Sequence, residues 1–392
     1  MNPIISLILS FAILALLMKK MPYGYAVVIS TLIFIVLASP ENLLPVFLRT
    51  ASSYETAELV SLIILVNVLA SVMKGLGMID DFVSEIMKFL SPKNSLVVLP
   101  AFMDLLPIPG GALMSAPLIE RSADSLKLKP HVLAFSNIWF RHIVMPVFPL
   151  TPSIIILANF TGVGIYEFIL HMIPFFVIMT LAGYLFLRDV PKTSAERGRG
   201  DLRKILRSST PIIIPVILNS LGLSLLFSII LGIASAFFLR KVPLKDALML
   251  LKKGWSNNLF FAIFGVMFFK NALQSSSLIA MMENFISSSG IPLWVLTVAV
   301  SSAISVLFGA MMAGLAISIS LLHPFIDGNM MYLCLLYGPA LMAYLLSPMH
   351  LCTILTFEYF HSDLKNFYRM MIPPAIITAL ISIPIFLSYG YL

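Results

Sequence analysis

Ten apolar runs recur along the chain, at about 3–18, 22–38, 58–75, 131–148, 166–187, 209–222, 223–239, 257–273, 329–346 and 370–390. A transmembrane helix needs about 20 apolar residues, so several runs are short spans with soft boundaries. No water-soluble core of this size could hide so many runs, because only 11% of the 392 residues are charged and 59% are hydrophobic. A soluble domain carries about 25% charged residues. The expected fold is therefore an all-α membrane protein of about ten transmembrane helices, with the lipid bilayer as its solvent.

The runs repeat. Val66 to Ile86 aligns without gaps on Val266 to Ile286, a shift of 200. Gly110–Glu120 falls on Ala313–His323 with a shift of 203, and Phe148–Phe160 on Ser347–Tyr359 with a shift of 199. Each match is weak alone; the near-constant offset in one order carries the inference. It divides the chain into an N-terminal repeat (1–187), a basic linker (188–207) and a C-terminal repeat (208–392).

Charge sets the orientation. With the linker in the cytoplasm, and five spans plus a re-entrant segment in each half, 22 of the 25 Lys and Arg fall inside. The stretch 271–339 has no Lys or Arg, whereas its partner 71–139 has six. The positive-inside rule explains this if partner loops face opposite sides. The expectation is two inverted-topology repeats in a cell membrane, with both termini outside, a plan common among secondary transporters. No cleavable signal is expected, since Lys19 and Lys20 follow the first run rather than precede it. The net charge of +7 then belongs to the cytoplasmic face, and no nucleic-acid partner is expected.

Two apolar stretches rich in Gly, Ser and Pro interrupt the spans, at about 95–119 and 292–323. The first contains Asp104-Leu-Leu-Pro-Ile-Pro-Gly-Gly-Ala-Leu-Met-Ser-Ala-Pro117. Proline lacks an N–H and glycine tolerates unusual backbone, so a straight helix is disfavoured. Broken backbone at membrane depth survives only where protein or a water-filled cavity receives it. A re-entrant hairpin fits, its tip near Pro107–Gly111 offering N–H groups to an anion. The bland alternative is a kinked packing span. The partner, Gly309 to Ser320, keeps the small residues and lacks the prolines.

Broken segments near 141–160 and 347–360 carry the remaining polar groups. Arg141 and His142 lie about ten residues into an apolar run. An Arg at the bilayer centre costs about 3 kcal/mol on insertion scales and normally has a partner. Asp104, Glu358 or an anionic solute could supply one, or Arg141 could snorkel to an interface. His142 alone reads as a packed histidine. Glu358 is either an ion-coupling carboxylate or a solvated charge beside His361 and Asp363. Asn67, Lys74, Lys270 and Asn271 read as interhelical hydrogen-bonding groups. Cys334 and Cys352 show no metal-ligand spacing.

The candidate solute-binding residues are Pro109, Gly110, Gly111 and Ser115 in the first hairpin, and Asn137, Arg141 and Thr151 around the first broken segment. Ser318 in the second hairpin and Ser347, His350 and Thr353 in the second broken segment complete them. Asp104, Asn159, Gly314 and Glu358 are the ion-coupling candidates. No metal site and no cofactor are expected beyond Na⁺ as a coupling ion. Neither HExxH, GxSxG nor a P-loop occurs, and no polar stretch is long enough for a nucleotide-binding domain. The chain therefore reads as a gradient-driven carrier and not an enzyme.

At Pro107, Pro109, Gly110, Gly111 and Ala112, followed by Ser115, Ala116 and Pro117, the chain resembles a family of prokaryotic membrane proteins of about ten spans. That family, DUF401-like, is grouped with the ion transporter superfamily. The resemblance covers essentially the whole chain in length and span layout. It implies two re-entrant hairpins, a scaffold domain (3–38 and 209–239) able to form a homodimer, and a moving transport domain. Superfamily members carry organic anions, arsenite or Na⁺/H⁺. The Ser-Asn-Thr hairpin tips of dicarboxylate carriers are absent here, which argues against a dicarboxylate. The reading is an elevator-type secondary transporter of a small solute, an anion, coupled to Na⁺ or H⁺. A channel or cation/proton exchanger using the same hairpins is the alternative.

Overall fold

The computed structural model describes residues 2–105, 111–191 and 200–391, and its regular structure is entirely helical. The first half contains α1 (Pro3–Leu17), α2 (Tyr23–Ala38), α3 (Leu43–Ser52), α4 (Tyr54–Gly75) and α5 (Met78–Ile86). It continues with α6 (Pro92–Asp104), α7 (Gly111–Ala123), α8 (Pro130–Trp139), α9 (Pro152–Thr161) and α10 (Ile165–Phe186). The second half contains α11 (Leu202–Ser220), α12 (Leu225–Arg240), α13 (Leu244–Gly254), α14 (Asn257–Gln274) and α15 (Leu278–Ser289). There follow α16 (Leu293–Phe308), α17 (Met311–Ile326), α18 (Met330–Leu346), α19 (Leu351–Phe360) and α20 (Leu364–Ser388).

Local chemistry sets many of these starts. Ser53, Ser91, Ser224 and Ser256 accept a hydrogen bond from a first-turn N–H of α4, α6, α12 and α14, and Asp201 and Asp363 do so for α11 and α20. Each cap satisfies one of the N–H groups that a helix start leaves without a partner. Proline sets the breaks. Pro146 and Pro149 lie between α8 and α9, where the chain passes through a 3₁₀ turn (Phe140–His142) into irregular backbone, and Pro152 opens α9. Thr151, just before Pro152, and Ser347, just before Pro348, are both extended, because a following proline excludes the helical conformation.

Four stretches of the described residues are long and apolar enough to cross a membrane: Tyr54–Gly75, Ile165–Phe186, Met330–Phe360 and Leu364–Ser388. A fifth results if α14 and α15, bent by 66°, form one broken or re-entrant span. Six shorter apolar helices accompany them. The chain is a multi-pass membrane protein by helix length and hydropathy. Fewer stretches pass the length test than the ten apolar runs of the sequence, because several runs form helices of only 15 or 16 residues, such as α1, α2 and α12, and the run at 131–148 ends as a helix after the ten residues of α8. Leu170, Leu181 and Leu185 on α10 and Ile376 and Leu380 on α20 are exposed, an apolar outer face suited to lipid.

Packing between the halves is reciprocal. α2 lies on α14 and α12 on α4; α3 lies on α14 and α13 on α4; α9 lies on α17 and α19 on α7. α6 packs on α7, its neighbour in the first hairpin stretch, and α16 packs on α17 as a helix–turn–helix hairpin. The second hairpin turns at Gly309, whose φ of 56° suits glycine. Asn67 donates to the Gly254 carbonyl at 2.7 Å and Asn271 to the Thr50 hydroxyl at 2.9 Å. Both are bonds between helices that satisfy side-chain amides.

Candidate functional site

The first hairpin meets α8 and α19 in a buried polar network. Asn137, fully buried near the end of α8, accepts from the Ser115 hydroxyl of α7 at 2.5 Å. Its amide donates to the Ala112 carbonyl at 3.1 Å and to the Thr356 hydroxyl of α19 at 2.9 Å. All of its polar atoms are thereby used, as burial demands. Ser115 and Asn137 come from the first half and Thr356 from the second.

One turn beyond Asn137, the buried Arg141 guanidinium lies with Nε 3.6 Å from Asp104 Oδ1 at the end of α6. This is a loose pair for groups that attract strongly at short range. Arg141 Nη1 is buried and has no hydrogen-bond partner among the described residues. The adjacent His142 places Nδ1 2.6 Å from the Ile138 carbonyl oxygen. Its ring packs edge-on to His350, centroids 4.9 Å apart, and His350 lies against Tyr344 at 4.1 Å. His350 Nδ1 is 3.2 Å from the Thr353 hydroxyl, and its Nε2 is buried without a partner among the described residues. Behind this group the Tyr337 hydroxyl donates to the Met145 carbonyl at 3.0 Å and lies 2.8 Å from Ser153 Oγ. It clamps the irregular stretch that follows Arg141.

A chain with this arrangement can be placed by comparison. The family described as protein of unknown function (DUF401) matches residues 2–389. The chain belongs to the DUF401 family. No curated protein matches it.

In this DUF401 chain, Asp104, Gly111, Ser115, Asn137, Arg141, His350 and Thr353 are gathered around one hairpin and two broken segments. The other site residues proposed from the sequence are elsewhere or outside the description. Pro109 and Gly110 lie outside the described residues. Ser347 donates to the Val306 carbonyl at 2.6 Å and fastens the second broken segment to α16. Ser318 returns its hydrogen bond to the Gly314 carbonyl at 2.6 Å, and Gly314 itself packs close to Ser305. Thr151 is buried just before Pro152. Asn159 Oδ1 is buried and has no partner among the described residues. Glu358 is exposed and does not pair with Arg141.

Thr356 and Tyr344 were not singled out in the sequence, and Cys352 was read there as having no metal-ligand spacing. Thr356 follows Thr353 by three residues, one helical turn, so the spacing alone could have nominated it. The polar groups are also unevenly shared. The exchanged counterpart of the meeting of α6–α7 with α19 is that of α16–α17 with α9, and the buried polar side chains of α9 and α17 are the small hydroxyls Ser153, Ser318 and Ser320.

Proposed function

We propose that the protein is a secondary carrier of a small anionic solute, coupled to Na⁺ or H⁺, working by alternating access. The observation that carries this reading is the buried Arg141. It is held between broken helices, paired at 3.6 Å with Asp104, and keeps one guanidinium nitrogen without a partner among the described residues. A buried cation with spare donors at the meeting of discontinuous helices is the arrangement that membrane carriers use to receive an anion. The reciprocal packing of the halves supports two inverted repeats, about ten spans and re-entrant hairpins at α6–α7 and α16–α17. Membership of DUF401, with its resemblance to the ion transporter superfamily, supports the same plan. On this reading α1, α2, α11 and α12 are the scaffold of a homodimer in a prokaryotic cell membrane. The hairpins, with the segments around Arg141 and His350, move against that scaffold. The linker 188–207 is cytoplasmic, and no enzymatic step is assigned.

The test is a thermal-stability screen of the purified protein against small anions, with Na⁺ or choline as cation, at two pH values. A ligand at 100 times its Kd stabilises a fold by about 2.7 kcal/mol. A shift that needs one anion together with Na⁺, or with the lower pH, is expected, followed by uptake of that anion in vesicles. Large unitary currents without saturable uptake would instead identify a channel.

A further inference from the structure

We propose that His142, His350 and Cys352 form a binding site for a soft monovalent cation, Cu(I). Their ligand atoms all lie within 4.8 Å of one another, although spacing in the sequence had given Cys352 no metal-ligand role. In a four-coordinate site with metal–nitrogen and metal–sulfur bonds of about 2.0 and 2.3 Å, neighbouring donors stand roughly 3.5 Å apart. A closure of about 1 Å therefore brings these three donors to the spacing of one metal's ligands.

The tautomers are already arranged. A carbonyl oxygen only accepts, so the 2.6 Å contact with Ile138 fixes the proton on His142 Nδ1 and leaves Nε2 with its lone pair. A metal-binding histidine commonly donates its second nitrogen in this way. His350 has Nδ1 beside the Thr353 hydroxyl, while its buried Nε2 has no partner among the described residues. A polar atom left in that state is costly, and a bound cation relieves it. Cys352 is half-buried, which gives the site an approach.

Charge and softness select the ion. Arg141 and Asp104 beside the site offset one another. Two neutral imidazoles and one thiolate then present a single negative charge, which a monovalent ion neutralises. A divalent ion would leave a net positive charge in a buried place, where uncompensated charge is expensive. Thiolate with imidazole suits Cu(I). On binding, the Cys352 S–H bond breaks, a Cu–S bond forms and one proton leaves; no oxidation state changes.

This inference needs neither an anionic solute nor a gradient, and goes beyond the carrier reading. The purified full-length protein, kept anaerobic and reduced, is titrated with Cu(I) in competition with a chromogenic Cu(I) chelator. One Cu(I) retained per chain, with release of one proton, is expected. Cys352→Ser and His142→Gln should each lose that equivalent, checked for folding by size-exclusion chromatography. Cys334→Ser, which alters the other thiol, should keep it. Thr353→Ala should keep the equivalent but weaken it by about 10–100-fold, the usual effect of losing a supporting hydrogen bond. Overturning results are no Cu(I) beyond what Cys352→Ser retains, or Zn²⁺ taken up in preference to Cu(I).

Discussion

The Arg141 guanidinium occupies the space that a β-carbon on Gly111 would need. The glycine that opens α7 is therefore a steric condition for the buried cation. Gly111→Ala is expected to lower stability by about 1–3 kcal/mol, the usual effect of overpacking. Combining it with Arg141→Lys, whose ammonium is narrower than a guanidinium, should recover part of the loss. The thermal midpoints of the single and double variants give the answer; an unchanged midpoint for Gly111→Ala alone would sink the assignment.

Arg141 and Asp104 should differ in what they disturb. Asp104→Asn leaves a buried guanidinium without its counter-charge, and breaking a buried pair costs about 3–5 kcal/mol. Arg141→Ala should abolish uptake in vesicles while the protein still purifies as a folded species. Arg141→Lys keeps the charge but loses the planar fork of donors, so uptake should fall rather than vanish. Normal uptake by folded Arg141→Ala removes the residue from the transport reading.

The bond from Asn137 to Thr356 can be measured as a coupling. Thr356→Val strands one buried N–H and should cost about 1–3 kcal/mol. Because the two side chains touch, Asn137→Ala and Thr356→Val should be non-additive, with an interaction term of about 0.5–3 kcal/mol. Additive losses in a double-mutant cycle would mean that the bond contributes nothing.

A second group of charges predicts acid sensitivity. Glu85 accepts from the Asp201 backbone N–H at 3.0 Å and pairs with Lys88 at 2.7 Å and Lys204 at 3.3 Å. These contacts, the Asp201 N–H foremost, hold its carboxyl down from 4.5 to about 2. Asp81, bonded to Arg240 and then to Lys204, is lowered as well. A carboxyl depressed by folding stabilises the fold at every pH above its unfolded value, and the benefit is lost as pH falls through the folded one. The join of α5 to α11 and α12 should therefore weaken between about pH 4.5 and pH 2. Glu85→Gln should flatten the acid limb of a stability–pH curve, and an unaltered limb would show that another group governs it.

The elements that were legible in the sequence are those whose signal is local. Prolines 146, 149 and 152 mark the break after α8 whatever the surroundings, and the offset of 199–203 between like segments survives loose packing. Which side of a short helix faces inward was less legible. On α19, Thr353 and Thr356 are buried and Glu358 is exposed. Glu358 lies two residues past Thr356, about 200° around a helix of 3.6 residues per turn. An apolar run gives no reference face from which to read that rotation. Cys352 was opaque for another reason: its neighbours His142 and His350 approach through the tertiary fold, and only His350 is close in sequence.

Asn137 and Thr356 are 219 residues apart in the chain. At a synthesis rate of about 5–20 residues per second, roughly 10–40 s separate the emergence of the one from that of the other. Through that interval the first hairpin and Arg141 lack the helix that closes over them. The nascent chain must then hold a buried guanidinium with Asp104, lipid headgroups or an insertion factor as its only company. Truncations that stop before α19 should consequently be drawn into quality control, however well their own spans insert.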